Sequence, residues 1–269
     1  MTHSVLMCRP QHYRIDYEIN PWMRRANAVD GPVADRQWDS LVTLLRGSGV
    51  DVLLVPQAAN VPDMVFTANA GIVLGRRFVP SNFRFPERQP EAGLFVEWFE
   101  DHGFQVETVH EPHYWEGEGD VLDAGDAVFA GFRFRTQAGA LDHLDEILGE
   151  PVRRLELTNP RFYHLDTCFF PLGGGRLVYY PGAFTAQGLA LIEASFRETF
   201  AAPEVEANRF ACNAVVAGRS HVILNSGCPA TEAVLQQWGF TPLATPMDEF
   251  IKAGGSVKCL LLTMDSFGG

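Results

Sequence analysis

The stretch FYHLDTCFFP, from Phe162 to Pro171, places an imidazole and a carboxylate two positions apart within an apolar run. In an extended strand, residues two positions apart point to the same face of the sheet. We therefore predict a strand from which His164 and Asp166 project together. Taken alone, the same pattern also fits a core histidine beside a neighbouring acid.

Short apolar segments that open with a polar residue recur at a nearly constant interval on both sides of this stretch. Successive openings are separated by 51, 46, 47 and 46 residues. A period this regular over most of a chain is typical of a repeated structural unit. Coincidental spacing of polar residues at strand ends is the alternative interpretation. The residues that mark the five openings are Asn69, Asp120, Asp166, Asn213 and Cys259.

Between successive openings the sequence predicts a hairpin, a helix and a further strand. Apolar residues at helical spacing, often followed by glycine, predict helices over 35–47, 91–102, 141–148, 187–200 and 231–238. Extended segments are predicted over 5–8, 50–56, 104–109, 152–157, 204–206 and 240–243. Five such units most simply close into a ring, since closure leaves no end unit with an exposed edge. A ring would bring the five polar openings together around one axis.

The chain is acidic, with a formal net charge of -12 and a pI near 5.1. Nucleic acids and anionic membranes require a basic face, so we expect neither as a partner, whereas a small cation suits this charge. We expect residues 1–269 to form one domain, because no linker divides the sequence. The sequence has neither a signal-like start nor an apolar run of membrane-spanning length, so we expect a cytoplasmic protein.

The five cysteines are widely spaced and include no CxxC pair. This pattern is typical of reduced thiols rather than of a disulfide framework or a zinc site. His110 and His113 form an HxxH pair, but no third ligand of matching spacing follows them. We therefore predict no metal and no other cofactor.

Two of the openings carry reactive groups next to glycine turns. Cys259 follows Gly254 and Gly255, although a cysteine that enters a strand is by itself most often a packing residue. The segment WEGEGDV, residues Trp115 to Val121, suits a tight turn that presents carboxylates inward, with a solvated acidic loop as the alternative. A thiol, a histidine and carboxylates around one axis can bind a guanidinium through the acids and attack its carbon with sulfur.

Together these motifs resemble the guanidino-modifying superfamily, which contains arginine deiminases, dimethylarginine dimethylaminohydrolases, agmatine deiminases and amidinotransferases. The resemblance extends from about Cys8 to Cys259. It implies the α/β fold class, in the form of a five-bladed α/β propeller, or pentein, built of ββαβ-type units. It also implies catalysis without a metal.

Within the superfamily, three segments are most similar to the arginine dihydrolase branch, which converts arginine to ornithine, carbon dioxide and two ammonia. They are CRP from Cys8, YEINPWM at Tyr17 to Met23, and DMVFTANAG at Asp63 to Gly71. Deiminases usually have a carboxylate where Asn69 stands. An amide is both a donor and an acceptor, so Asn69 could contact the guanidinium of arginine and then the ureido oxygen of citrulline.

The resemblance implies a role for each motif residue. Cys259 is the expected nucleophile and His164 the acid and base, while Glu116 holds the guanidinium or orients His164. Glu118 is the alternative to Glu116, because deiminases space this acid differently. Arg88 and Arg135 are expected to bind the α-carboxylate of an amino-acid substrate. The expected substrate-binding residues are Asp166, Asn69, Asn20, Arg88 and Arg135.

We therefore expect cysteine-dependent hydrolysis of the guanidino group of free arginine through a covalent thiouronium intermediate, as in an arginine dihydrolase. The first alternative is an arginine deiminase or a dimethylarginine dimethylaminohydrolase, which would stop at citrulline. An amidinotransferase is the second. The third is a ribosome anti-association factor, which shares the propeller without catalysis. The expected partner is a small cationic guanidino compound, and a homo-oligomer is compatible with the sequence.

Overall fold

A computed structural model describes residues 4–108 and 113–264, whose strands form five three-stranded sheets. The fifteen strands in chain order are β1 (Ser4–Cys8), β2 (Asp51–Val55), β3 (Gly71–Leu74), β4 (Arg77–Pro80), β5 (Gln105–Val106), β6 (Val121–Asp123), β7 (Val128–Phe132), β8 (Arg153–Glu156), β9 (Phe169–Gly173), β10 (Arg176–Tyr179), β11 (Glu198–Ala201), β12 (Val215–Ala217), β13 (His221–Asn225), β14 (Thr241–Thr245) and β15 (Leu262–Thr263).

Each sheet is one blade of the predicted propeller. Blades 1 to 4 contain β3-β4-β5, β6-β7-β8, β9-β10-β11 and β12-β13-β14, and blade 5 contains β15-β1-β2. The middle strand of each blade pairs antiparallel with the first strand and parallel with the third. In blade 5, Val5 of β1 pairs with Thr263 of β15, so the two ends of the chain share one sheet. This pairing closes the ring of ββαβ units that the repeat spacing predicted.

A helix connects the second and third strands of each blade. The first one begins earlier than predicted because the Asp30 side chain accepts a hydrogen bond from Val33 N and Pro32 occupies the first turn. Within the described ranges, no helix combines the length and apolar character needed to cross a membrane. The five connecting helices are Gly31–Gly47, Gln89–Asp101, Ala140–Leu148, Ala186–Ser195 and Pro229–Gln237.

The prediction for the end of blade 3 is wrong. The helix expected over 187–200 ends at Ser195, and the strand expected over 204–206 is instead the helical turn Glu204–Ala207. The third strand is β11, which pairs in parallel with β10. The backbone adopts an extended conformation at Phe196, and Arg197 N then donates a hydrogen bond to Gly175 O beside β10. Pairing with the sheet therefore overrides the helical periodicity of this segment. The segment predicted as extended over 104–109 contains β5, and its residue 109 lies outside the described ranges.

Buried apolar side chains in the described chain form five clusters, and each cluster combines residues of two neighbouring blades. Burial between blades, rather than in one central core, therefore holds the ring together. Representative members are Leu6 and Phe78 between blades 5 and 1, Ile72 and Val121 between blades 1 and 2, Phe129 and Phe169 between blades 2 and 3, Val178 and Val222 between blades 3 and 4, and Ile223 and Val5 between blades 4 and 5.

Candidate active site

Each of the five polar openings lies in a turn directly before the first strand of its blade. Asn69 lies in Thr67–Ala70, Asp120 in Gly117–Asp120, Asp166 in Leu165–Thr167 and Cys259 in Lys258–Leu260, while Asn213 precedes β12. Hydrogen bonds join turns of neighbouring blades. Thr67 Oγ1 donates to Leu260 O at 2.8 Å, Leu165 N to Asp120 Oδ1 at 3.0 Å, and Asn213 Nδ2 to Asp166 O at 3.0 Å.

The strand predicted to carry His164 and Asp166 on one face is wrong, because β9 begins only at Phe169. Residues Leu165–Thr167 form a 3₁₀ turn, in which Thr167 N and Oγ1 both donate to His164 O, at 3.2 and 2.6 Å. A threonine hydroxyl competes with sheet pairing in this way. His164 and Asp166 are consequently both buried but have different side-chain partners.

Cys259 is buried between a carboxylate and an amide. Its thiol donates to Asp166 Oδ2 at 3.2 Å, and its sulfur accepts from Asn213 Nδ2 at 3.1 Å. Burial raises the pKa of the Cys259 thiol well above its ordinary value, and the Asp166 carboxylate raises it further. The S–H group of Cys259 therefore faces the Asp166 carboxylate.

Asp166 has one carboxylate oxygen with a partner and one without. Burial raises the pKa of Asp166 to about 7, although the positive charge of Lys258 opposes the shift. In the described part of the chain, Asp166 Oδ1 is buried and has no hydrogen-bond partner. An unpaired buried acceptor is costly, so this oxygen is suited to a hydrogen-bond donor or cation from a ligand.

His164 is held on both ring nitrogens. Its Nε2 lies 2.9 Å from Glu116 Oε2 and 4.0 Å from Asp120 Oδ2, and its Nδ1 lies 3.5 Å from Asn69 Nδ2. The amide nitrogen and the carboxylate fix the tautomer, because the first can only donate and an ionised carboxylate can only accept. Nε2 therefore carries the proton toward Glu116, and the Nδ1 lone pair faces Asn69.

Glu116 rather than Glu118 contacts the histidine. Burial by itself would raise the pKa of Glu116, but the Arg135 guanidinium at 2.8 Å and His164 outweigh it, and the pKa lies well below the ordinary value. Glu118 Oε2 instead accepts from Lys258 Nζ at 2.7 Å and from Thr263 N at 3.0 Å. Of the two acids that the sequence left open, Glu116 lies beside His164 and Glu118 lies in an ion pair beside the Cys259 turn.

Neutralising Glu116 is expected to destabilise the protein. Glu116→Gln keeps the shape of the side chain but leaves the buried Arg135 guanidinium without its counter-charge, which should lower the free energy of unfolding by about 3 kcal/mol. Urea unfolding would measure the change. The matched control is Asp142→Asn, which removes an exposed ion pair with Arg154 and should cost under about 1 kcal/mol. Equal losses in the two variants would contradict the prediction.

Arg88 orients Asn69. It donates to Asn69 Oδ1 at 2.7 Å, to Asp63 O at 3.3 Å, and to both oxygens of Glu91 at 2.9 and 2.8 Å. Because a guanidinium can only donate, the amide oxygen of Asn69 must face Arg88 and its NH2 group must face His164. Asn69 thus presents its NH2 group to the site, while its oxygen faces the buried ion pair of Arg88 and Glu91.

Asn20 anchors the loop that precedes the first connecting helix. Its Nδ2 donates to Ala253 O at 3.0 Å, and its Oδ1 accepts from Trp22 N at 2.9 Å. The loop lies against Gly254, where an added Cβ would come within 3.0 Å of Asn20 Oδ1 and of the Tyr163 hydroxyl. Asn20 therefore lies next to the glycine turn that leads to Cys259.

Four residues of this region were given no role in the sequence analysis. Asn213 contacts the Cys259 sulfur and could have been found, since it marks the fourth opening of the repeat. Thr136 donates to Asp120 Oδ2 at 2.7 Å and accepts from Glu116 N at 3.2 Å. Glu91 pairs with Arg88, and Asp63 is buried with Oδ1 unpartnered within the described ranges. Thr136 and Glu91 belong to no local motif that would reveal them.

The raised pKa of Asp166 predicts a pH dependence of stability. The folded protein keeps this proton up to about pH 7, whereas the unfolded chain loses it near pH 3.8. This contribution to stability is fully present below the unfolded pKa and is lost as pH rises through the folded one. Between about pH 5 and pH 7, the free energy of unfolding should fall by up to about 1.4 kcal/mol per pH unit for this group.

Asp166→Asn isolates this contribution between about pH 5 and pH 8, because burial keeps Cys259, whose pKa Asp166 also raises, protonated over this range in both proteins. In the variant, the slope of the free energy of unfolding against pH should lack the contribution of about one proton. The stability of the variant relative to the parent should therefore increase as pH rises. Urea unfolding at several pH values between about 5 and 8 measures the difference. A difference that does not change with pH would show that Asp166 is ionised throughout.

Of the HxxH pair, His110 lies outside the described residues. The ring of His113 packs against Gly139. Across residues 4–108 and 113–264, no three His, Cys, Asp or Glu side chains form a group that could hold a metal ion.

Comparison with known proteins gives matches over nearly the whole chain. A family model described as N,N dimethylarginine dimethylhydrolase, eukaryotic, matches residues 10–265. A bifunctional arginine dihydrolase/ornithine cyclodeaminase, AgrE of Nostoc sp., is 43% identical over 96% of the chain. The chain spans 37% of the length of AgrE and of a second bifunctional relative of this kind. An N(G),N(G)-dimethylarginine dimethylaminohydrolase of Mycobacterium tuberculosis is 37% identical over 97% of the chain and 85% of its own length.

A solved structure agrees with the fold. The N-terminal domain of ArgZ, an arginine dihydrolase of cyanobacteria crystallised as a cysteine-to-serine variant with its substrate, superposes with a TM-score of 0.93. The two are 40% identical, and the match covers 97% of each chain. The family model, the relatives and the fold agree: the chain belongs to the N,N-dimethylarginine dimethylhydrolase family, within the guanidino-modifying superfamily that its motifs predicted.

Proposed function

We propose that this protein hydrolyses the guanidino group of free arginine as an arginine dihydrolase, giving ornithine, carbon dioxide and two ammonia. The observation that carries the proposal is the amide of Asn69, whose oxygen is held by Arg88 and whose NH2 group faces His164. A deiminase needs only acceptors for a guanidinium. A donor at this position suits the neutral ureido oxygen of citrulline and hence a second hydrolysis.

In the first step, the guanidinium binds to the free oxygen of Asp166 and its positive charge favours the Cys259 thiolate, whose proton passes to the unprotonated Nδ1 of His164. The thiolate attacks the guanidino carbon and forms a C–S bond. His164 then protonates the departing nitrogen, which leaves as ammonia and gives the thiouronium intermediate. Glu116 stabilises the protonated histidine through the hydrogen bond at Nε2.

In the second step, His164 accepts a proton from water, which attacks the thiouronium carbon and displaces sulfur to give citrulline. Citrulline stays in place because its ureido oxygen accepts from Asn69. Cys259 then attacks the ureido carbon, a second ammonia departs, and a second water releases the carbamate of ornithine, which loses carbon dioxide. The balance is one arginine and two water molecules consumed for each ornithine formed.

Of the two arginines, Arg135 is the better candidate to bind the substrate α-carboxylate. Arg88 makes four hydrogen bonds to protein groups, whereas Arg135 donates, among the described residues, to Glu116 and to Ile19 O. The Arg135 guanidinium also lies over the rings of Phe85 and Tyr163, at 4.7 and 4.6 Å from their centroids. Agmatine, which has no carboxylate, should therefore be a poor substrate.

Product analysis tests the proposal. The enzyme is incubated separately with arginine, citrulline, asymmetric dimethylarginine and agmatine, and amino acids, ammonia and dimethylamine are quantified. Ornithine with two ammonia per arginine is expected, together with turnover of citrulline. Citrulline with one ammonia would identify a deiminase.

The second candidate function is dimethylarginine hydrolysis, which is favoured by the family model and the Mycobacterium tuberculosis relative. Release of dimethylamine in the same assay would support it. Turnover that depends on an added amine acceptor would identify an amidinotransferase. A chain that binds none of these compounds would fit the non-enzymatic alternative.

A further inference from the structure

Asn213 fastens the Cys259 turn to the neighbouring blade with every polar atom of its side chain. Its Oδ1 accepts from Ser256 N at 3.1 Å and from Cys259 N at 3.2 Å. Its Nδ2 donates to Asp166 O at 3.0 Å and to Cys259 Sγ at 3.1 Å. The Asn213 backbone oxygen accepts from Lys258 N at 3.2 Å. Asn213 thus holds both ends of the turn that carries the thiol.

The orientation of this amide follows from chemistry. Both groups at Oδ1 are backbone N–H groups, which can only donate, and the backbone oxygen of Asp166 can only accept. A flipped amide would place its NH2 group against the two backbone N–H donors and its oxygen against the backbone oxygen of Asp166. The NH2 group must therefore face the Cys259 sulfur, and the side chain is completely buried.

The sulfur thus has neighbours of two unlike kinds. Asp166 Oδ2 accepts the thiol proton but repels a thiolate, whereas the Ser256 backbone N–H and Asn213 Nδ2–H favour a thiolate, and Asn213 is the side-chain donor. A hydrogen bond to a charged acceptor is stronger than one to a neutral acceptor. The Asn213 donor therefore gains strength when Cys259 loses its proton, which is the change that precedes attack on a carbon.

We propose that Asn213 is a further catalytic residue of this site: it donates a hydrogen bond to the Cys259 thiolate and fixes the direction from which the sulfur attacks. This rests on the proposed function for the identity of the reaction. The role at the sulfur follows from contacts within the chain, so it can be tested without a substrate.

The decisive variant is Asn213→Asp. It keeps an acceptor oxygen for the N–H groups of Ser256 and Cys259 but replaces the donor at the sulfur with a second carboxylate. The matched control is Asn225→Asp, because Asn225 is equally buried and has the same kind of partners, donating to Arg209 O at 2.8 Å and accepting from Met247 N at 3.0 Å. In the described part of the chain, neither hydrogen bond of the Asn225 side chain is to Cys259.

The rate of Cys259 alkylation by iodoacetamide is followed from about pH 6 to pH 10 by peptide mass spectrometry, and arginine turnover is followed over the same range. Asn213→Asp should slow alkylation at pH 8 by about tenfold or more and shift the alkylation profile to higher pH. Its kcat should fall by about 100-fold or more, with a smaller change in KM. Asn225→Asp should remain within about twofold of the parent.

Three results would overturn the role of Asn213: an unchanged alkylation profile in Asn213→Asp, an equal loss in Asn225→Asp, or a parent Cys259 that resists alkylation at every pH. If Asn213→Asp does not fold, as judged by thermal unfolding, Asn213→Ser replaces it, since serine has no amide donor to reach the sulfur. The same slowing is then expected. If the parent does not turn over arginine but alkylation of Cys259 is still slower in the variant, the proposed function is refuted and the role of Asn213 stands.

Discussion

Replacing Cys259 with serine is expected to reduce arginine turnover by about 10⁴-fold or more. The hydroxyl of serine ionises far less readily than a thiol, and the neighbouring Asp166 carboxylate opposes any negative charge at this position. Without the anion, the bond to the guanidino carbon does not form. Ornithine and ammonia production by the purified variant gives the measurement.

Binding should survive this substitution, because the unpaired Asp166 oxygen remains. Calorimetric titration with arginine separates lost chemistry from lost structure. The matched control is Cys228→Ser, which makes the same change at a buried thiol whose contact is with Glu206 O and not with Asp166. Retention of more than about one per cent of the parent rate in Cys259→Ser would refute the mechanism.

Asn69→Asp is expected to convert the proposed dihydrolase into a deiminase, with one ammonia per arginine instead of two. The new carboxylate still accepts from Arg88 but presents an acceptor where the parent presents the NH2 group. It can therefore hold a guanidinium but repels the ureido oxygen of citrulline. Ornithine formation should fall by about 100-fold while citrulline accumulates.

The measurement is the ratio of ornithine to citrulline at complete conversion of arginine, with citrulline as a separate substrate. Asn225→Asp serves again as the same change at a buried asparagine outside the site, and it should leave the ratio as in the parent. An Asn69→Asp variant that still yields two ammonia per arginine would show that the second hydrolysis does not depend on the amide. The proposed role of Asn69 would then be wrong.

The repeat was the most informative feature of the sequence. Because each blade contributes one polar opening, the spacing of Asn69, Asp120, Asp166, Asn213 and Cys259 predicted both the ring and the residues that meet at it. The prediction that His164 and Asp166 lie on one face of a strand was wrong. The turn at Leu165–Thr167 forms through bonds to His164 O, and a period of two along the sequence does not reveal such local closure.

The chemical groups of the site and their arrangement on separate blades were determined by the sequence alone, since residue types and intervals are local properties. The partners of those groups were decided only by the tertiary structure. Glu116 pairs with Arg135 and Glu118 with Lys258, although the two acids stand two positions apart. For Glu116, burial alone would raise the pKa, and Arg135 and His164 lower it instead, because a charge removed from water depends on the partners that the fold brings within about 3 Å. Lys258 comes from another blade, and Arg135 follows the second strand of the blade that Glu116 precedes, so no single segment of the chain identifies these partners.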